Sequence, residues 1–439
     1  MSIASKASIY EQSREYLLNL EVKFSKWVYL NDPLTLRIVL ATFIGNYLEG
    51  APVWLLIVSS PSSGKTEILN MLRDLNDVFE IGTFTKAALL SGTPKREVAK
   101  NAKGGLLKEI GDFGILICKD FTSVLSMNNE TRLESFAALR DIYDGRMRRA
   151  FGTDGGWHTV WEGKIGFIGA VTQKIDSQHE AMSSMGERFT MFRIKTDLAT
   201  SIEQARMVLS RECKKSLVRN TLRNMTKTLV DHVLEFKYEP EVDDFIRERI
   251  ALLASLVTCA RSTIERDGYK REITHIHHIE ASPRFAQALM SLFKGSILIG
   301  CNVQEAWELA HEVGLSSMPE LRRRVIWSIC ENGEMDLKGL VTVIGHPNTT
   351  VRRVCEDLVS HRILTETKQS KRSVWFLTED VRELIDVIDQ PIEDIDVTFP
   401  EKSESPSITN TANTHQINRE SKILHPGDRA INDIASSAI

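Results

Sequence analysis

The sequence lacks several features that would place it in large, easily named classes. Its 6 cysteines, Cys118, Cys213, Cys259, Cys301, Cys330 and Cys355, stand singly in 439 residues, with no CxxC pair. That spacing excludes a disulfide framework and a cysteine-rich zinc site, and the thiols are read as reduced. No apolar stretch approaches the length of a membrane span, and the opening "MSIASKASIYEQSREYLL" lacks the apolar core of a signal peptide. A cytoplasmic location without a membrane partner is therefore expected. Nor is there an excess of positive charge: 55 basic residues face 59 acidic ones, for a formal net charge of −4. Any affinity for nucleic acid has to come from local basic patches. No internal repeat is present. His275, His277 and His278 in "THIHH" have no Cys or Asp at ligand spacing, which argues against a metal site.

What is present is a chain with 42% hydrophobic residues, enough for two or three domains with their own cores. Residues 1–50 read as helical; "LTLRIVLATFIGNYL" carries an apolar face and Asn31-Asp32-Pro33 marks its start. Between 51 and 200, short β-rich runs ("VWLLIV", "GILICKD", "KIGFIGAV") alternate with helical patterns such as "ETRLESFAALRDIYDG". That alternation predicts an α/β domain with a largely parallel sheet. Beyond Thr200 the strands are expected to stop, and 201–315 reads as helical. Residues 316–385 read as three helices and a hairpin, and 386–439, polar and without apolar periodicity, as a disordered tail.

The run "VWLLIV" leads into Ser59, Ser60, Pro61, Ser62, Ser63, Gly64, Lys65 and Thr66, after which Ile68, Leu69, Leu72 and Leu75 share one helical face. A strand, a small-residue loop ending in Gly-Lys-Thr and a helix make a phosphate-binding loop. Backbone N–H groups surround the phosphates, Lys65 reaches the β and γ oxygens, and the Thr66 hydroxyl binds Mg²⁺. Ser59 departs from the glycine usual at that position. A nucleotide hydrolase also needs a carboxylate at the end of a neighbouring strand, and "GILICKDFTSVLS" offers Asp120. Counted from Ile115, Lys119 occupies the slot of the usual Asp and Asp120 that of the following Glu. Asp120 is thus a candidate either for the metal or for the attacking water.

These motifs resemble the AAA+ ATPases, within them the helicase-like branch of minichromosome-maintenance proteins and phage and mobile-element ATPases. The resemblance runs from Trp27 to Asp380 and rests on ordered landmarks: "GILICKDF" as the Walker B strand, "GKIGFIGAVTQ" as the sensor 1 strand, "MGERF" as the arginine-finger element and "EASPRFAQAL" in a helical lid. It implies that Thr172 or Gln173 contacts the γ-phosphate or water, that Arg188 enters a neighbouring subunit's site, and that Arg284 is the sensor 2 arginine binding ATP. It further implies a homo-oligomer, a hexamer in this branch, with ATP and Mg²⁺ at subunit interfaces. The implied fold is a P-loop AAA+ α/β core with a helical lid.

Two regions offer local basic patches. In "DIYDGRMRRAFGTDGGWHTVWEGKIGFIGAV", Arg146, Arg148 and Arg149 precede a Gly-Thr-Asp-Gly-Gly turn and an alternating stretch with Trp157 and Trp161. This reads as a hairpin suited to single-stranded DNA, its tryptophans either stacking on bases or packing on the sheet. From Pro319 onward the pattern reads as a winged helix-turn-helix domain. In its third helix Asn348 caps, Val351, Val354, Cys355 and Leu358 form the buried stripe, and Thr349, Thr350, Arg352 and Arg353 face outward. Lys368, Lys371 and Arg372 lie on the wing, near phosphates. The expected function is an ATPase coupling hydrolysis to DNA unwinding or remodelling, in replication of a phage, plasmid or mobile element. The alternatives are an ATP-switched DNA-binding regulator and a degenerate ATP-binding scaffold.

Overall fold

The apolar run after Val53 forms strand β1 (Trp54–Val58), in which every residue is buried. The computed structural model describes residues 3–28, 34–61, 63–82, 84–91, 105–151, 157–178, 182, 185, 188–210, 215–235, 239–369 and 372–392. Further strands are β2 (Val78–Glu80), β3 (Phe113–Cys118), β4 (Arg146–Phe151), β5 (Trp157–Glu162), β6 (Lys164–Val171) and β7 (Phe189–Arg193). A five-stranded sheet takes the order β2-β3-β6-β1-β7, and each neighbouring pair is parallel. The fold is mixed α/β, as the alternating runs predict.

Because inner parallel strands are covered on both faces, β1 and β3 stay apolar throughout rather than alternating with polar residues. Leu55, Ile57, Ile115, Ile117 and Ile168 join one cluster, whereas Trp54, Leu56, Leu116, Cys118 and Phe167 join the other. Trp54 is fully buried, and its indole N–H donates to the Ile165 carbonyl at 2.7 Å. On the first face lies the helix Leu34–Gly45, buried around nearly its whole circumference instead of along one stripe. The cause is a second helix, Pro283–Leu298, crossing it at a glycine contact. A Cβ on Gly295 would fall 2.2 Å from the Ala41 carbonyl oxygen, and one on Gly45 2.7 Å from that of Ser291.

Past Thr200 the helices Leu198–Leu209, Lys215–Glu235, Asp244–Arg261, Pro283–Leu298 and Val303–Ser316 follow the expected pattern. The expectation that strands stop there is corrected by an antiparallel hairpin, β8 (Ile264–Arg266) with β9 (Ile273–Ile276). The turn between them is longer than a two-residue hairpin loop: Asp267 pairs with Glu272, and Arg271, not Gly268, takes the left-handed conformation, at φ 60°. The C-terminal part has helices Glu320–Asn332, Leu337–Ile344 and Asn348–Ser360 and a small sheet of β10 (Met335–Asp336), β11 (Leu364–Gln369) and β12 (Arg372–Leu377) in the order β10-β12-β11. Val351, Cys355 and Leu358 are fully buried there. Asn348 is not the cap: Pro347 holds that position, with no side-chain cap bond, and Asn348 begins the helix.

A last helix, Glu379–Asp389, runs beyond the point where the polar tail is expected to begin and buries Ile385 and Ile388. Its C-terminal end is held by Arg249, fully buried, which donates to the carbonyls of Ile388 and Gln390 and stacks over Trp307 at 4.2 Å. Residues 393–439, and with them nearly all of the expected tail, lie outside the described residues. Among the described residues no helix is long and apolar enough to cross a membrane.

Candidate phosphate-binding site and basic surfaces

In a parallel sheet, the segments leaving the C-terminal ends of adjacent strands are brought side by side. Ser59, after β1, donates its N–H to the Val171 carbonyl of β6 at 3.2 Å, and Phe121, after β3, donates to Ala170 at 2.8 Å. The small-residue loop, Asp120 and Thr172 therefore share one edge. Gly64 supplies the turn with φ 90°, a left-handed conformation that glycine adopts without strain, and the helix Lys65–Met71 starts from it. Ser59 keeps a negative φ and needs no glycine. It is 1% exposed, and its hydroxyl makes a short hydrogen bond with that of Ser63.

Lys65 turns back over the loop. Its ammonium donates to the Ser59 carbonyl (2.7 Å), the Ser59 hydroxyl (2.7 Å) and the Ser60 carbonyl (2.8 Å). Burial lowers its pKa to about 8, against the opposing pull of the nearby Asp120 carboxylate. A partly buried cation held by neutral oxygens gains from an arriving anion. Ser60, Pro61 and Thr66 are at least partly exposed around it, and Ser62 lies outside the described residues. Glu67, one residue on, is clamped by Arg219 from the helix Lys215–Glu235, at 2.8 Å through the guanidinium Nε.

Asp120 is exposed, and its Oδ1 accepts the Thr122 N–H at 3.0 Å. The Thr122 hydroxyl in turn accepts the Thr172 N–H at 3.0 Å and lies 3.3 Å from the Thr172 hydroxyl. Asp120 and Thr172 are thus joined through one residue that the sequence does not single out. Gln173 is exposed and begins the short helix Lys174–Ser177. Lys119 points elsewhere: its ammonium lies 2.9 Å from both carboxylate oxygens of Glu80 on β2.

Arg188 and Arg284 meet at the opposite edge. Arg188 stands just before β7, whose first residue, Phe189, is in register with Trp54 at the start of β1. The five residues of β1 therefore separate it from the loop, about 16 Å of strand. There Arg188, 9% exposed, donates to Asp144 at 2.7 and 3.0 Å and to the Met185 carbonyl at 2.9 Å. Arg284, on the first turn of its helix, is 3.8 Å from the same carboxylate.

The hairpin read from the sequence is β4 with β5, paired from Arg146↔Glu162 to Phe151↔Trp157. Arg146 and Arg148 are exposed, Arg146 lying 3.1 Å from Glu162. Arg149 is tied into the fold through the Leu90 carbonyl at 2.6 Å. Trp161 is core: it is 3% exposed and its N–H donates to Gly111 at 2.7 Å, which leaves no face for a base. The turn at 152–156 lies outside the described residues. In the C-terminal part Thr349, Arg352, Arg353, Lys368 and Arg372 are exposed and Thr350 half-buried, and Lys371 lies outside the described residues.

No family model matches the chain, and no curated protein matches it. Among solved structures it is similar to the C-terminal region of NrS-1 in its A-form apo structure, with 12% identity, 83% of this chain and 75% of that one covered, and a TM-score of 0.26.

Proposed function

We propose that this chain is an AAA+ ATPase of the helicase-like branch that couples ATP hydrolysis to unwinding or remodelling of DNA. The observation that carries the reading is the gathering of the Gly64-Lys65-Thr66 loop, Asp120 and Thr172 at one edge of a parallel sheet, with the Lys65 ammonium resting on loop oxygens. Lys65 opposes the charge of the triphosphate. Asp120 orients the attacking water or holds the metal, and Thr172 or Gln173 contacts the γ-phosphate or the water. The Thr66 hydroxyl and the Asp120 carboxylate, hard oxygen donors both, would hold Mg²⁺, which would supply positive charge against the phosphates.

Arg188, separated from its own loop by the length of β1, acts in this reading on the phosphate of another copy, and Arg284 is the sensor 2 arginine. Turnover then depends on a homo-oligomer, a hexamer in this branch, with DNA engaged by the β4–β5 hairpin and by a C-terminal winged helix. The role in phage, plasmid or mobile-element replication rests on the sequence resemblance. The test is ATP turnover and strand displacement measured with and without single- and double-stranded DNA. A second reading, a degenerate ATP-binding scaffold, is favoured by Lys119: a lysine paired to Glu80 stands where a second carboxylate is usual. Nucleotide binding without turnover selects it, whereas tight duplex binding without displacement selects an ATP-switched regulator.

A further inference from the structure

Arg266, the last residue of β8, ties the β8–β9 hairpin to the helix Asn348–Ser360. Its guanidinium donates to Asp357 Oδ1 (2.6 Å), Glu356 Oε2 (3.1 Å) and the Arg353 carbonyl (3.2 Å) on that helix, and to the Arg271 carbonyl (2.9 Å) at the hairpin tip. Since one guanidinium serves the carbonyls of both Arg271 and Arg353, the hairpin tip lies directly beside the exposed Arg352-Arg353 stretch. The tip is built to hold its shape. Asp267 Oδ1 accepts the Tyr269 N–H at 2.6 Å and that of Lys270, and Asp267 donates its own N–H to Glu272 at 2.9 Å. Arg271 closes the turn at φ 60°. What this rigid turn presents is Tyr269, 94% exposed, with Lys270 and Arg271 exposed next to it.

We propose that the β8–β9 tip and the Asn348 helix form one continuous surface for the phosphate backbone of duplex DNA, Lys270 and Arg271 extending the contacts of Arg352 and Arg353. The proposal rests on the duplex-binding reading of that helix. The chemistry is that of phosphate positioning: the two cations neutralise phosphates, and the Tyr269 hydroxyl donates to a phosphate oxygen. Because the backbone of the turn is held by these bonds, the ordering cost on docking falls mainly on the side chains. Nearby carboxylates are engaged within the fold: Glu265 by His277 at 3.0 Å, Asp267 by its turn amides, Asp357 by Arg266, and Glu356 by Arg266 and, at 3.8 Å, by Arg352, which must exchange that carboxylate for a phosphate. Glu272 is exposed beside Arg271 and works against an anion.

The experiment is anisotropy of a fluorescein-labelled, mixed-sequence duplex over a series of salt concentrations, on the full chain. Lys270→Ala with Arg271→Ala is expected to weaken binding about tenfold at low salt and to lower the log–log salt slope by about two units, one per lost phosphate contact. Glu272→Gln, at the same tip, is expected to tighten binding. If Arg352→Ala with Arg353→Ala loses duplex while the Lys270/Arg271 and Glu272 variants match the parent in affinity and slope, the extended surface is refuted and the helix reading stands. If the Arg352/Arg353 variant also matches the parent, the helix reading itself falls.

Discussion

The Arg188 guanidinium grips the Asp144 carboxylate at 2.7 and 3.0 Å within a single chain, at the sheet edge opposite Lys65. Arg188 also lies 5.4 Å from the Tyr143 ring centroid, so it is both paired and packed. An arginine that acts on another copy's nucleotide has to exchange this carboxylate for a phosphate. Arg188→Ala should therefore remove turnover while retaining ATP affinity, and should cost about 1–3 kcal/mol of stability through lost charged hydrogen bonds. Asp144→Asn should keep turnover, because the arginine is freed rather than removed. Mixing Arg188→Ala with Lys65→Ala protein should recover activity at interfaces that pair two intact halves. Equal loss of turnover in Asp144→Asn and Arg188→Ala would show that the in-chain pair itself is the working unit.

The titration of Lys65 gives a pH dependence of definite sign. Its folded pKa, about 8, lies below the ordinary 10.5, so the unfolded chain holds more protons between those values. By linkage, this group's contribution to stability rises with pH across that window and is flat below it. Phosphate binding needs the charged form, so nucleotide affinity should fall as pH rises through about 8, and binding there should take up protons. Calorimetry near pH 8 in buffers of different ionisation enthalpy measures the uptake. The Lys65→Ala variant should show none of this component.

Lys119 should matter little to the chemistry. Its pair with Glu80 is about a third exposed on each side, where such bridges contribute roughly 0–1 kcal/mol. Lys119→Ala is expected to shift the urea midpoint only slightly and to leave turnover within about twofold, well under one tenfold step of barrier height. A collapse of turnover would place the Lys119 ammonium at the phosphates instead of at β2.

The helix crossing behind the sheet is sensitive to a single methyl. Gly295→Ala sets a Cβ against the Ala41 carbonyl, 2.2 Å away, and backbone cannot yield as a side chain does. Overpacking of this kind typically costs 1–3 kcal/mol or somewhat more. Urea unfolding should show the loss, while Gly268→Ala, with open space around its Cβ position, should show much less.

Much of this arrangement is legible along the chain because its determinants are local. Buried parallel strands read as unbroken apolar runs, and the loop between β1 and its helix is announced by Pro61, Gly64 and Lys65. The β4–β5 hairpin follows from alternation. Long-range partners are not legible: that Lys119 turns to Glu80, that Arg188 turns to Asp144, and that Thr122 joins Asp120 to Thr172 depend on which strands become neighbours. Trp161 is ambiguous by sequence because alternation places it on one face of β5 without saying what covers that face. The β8–β9 hairpin is a different case: its strands are short and its turn is closed by Arg271 at φ 60°, a residue type that does not announce a turn. Pro347 takes the cap position in place of Asn348 because it holds the extended backbone of a cap, with ψ 143°, and its carbonyl already accepts the Thr350 and Val351 N–H groups.

The most direct test is to measure equilibrium ATP binding and ATP turnover side by side on the parent, Lys65→Ala and Asp120→Asn, each with and without DNA. The expected result is a DNA-stimulated parent, a Lys65 variant that binds ATP weakly, and an Asp120 variant that binds like the parent but turns over at least about a hundredfold more slowly. An Asp120→Asn protein that hydrolyses ATP at the parent rate, or a Lys65→Ala protein that binds it with undiminished affinity, would contradict the assignment of this sheet edge as the hydrolytic site.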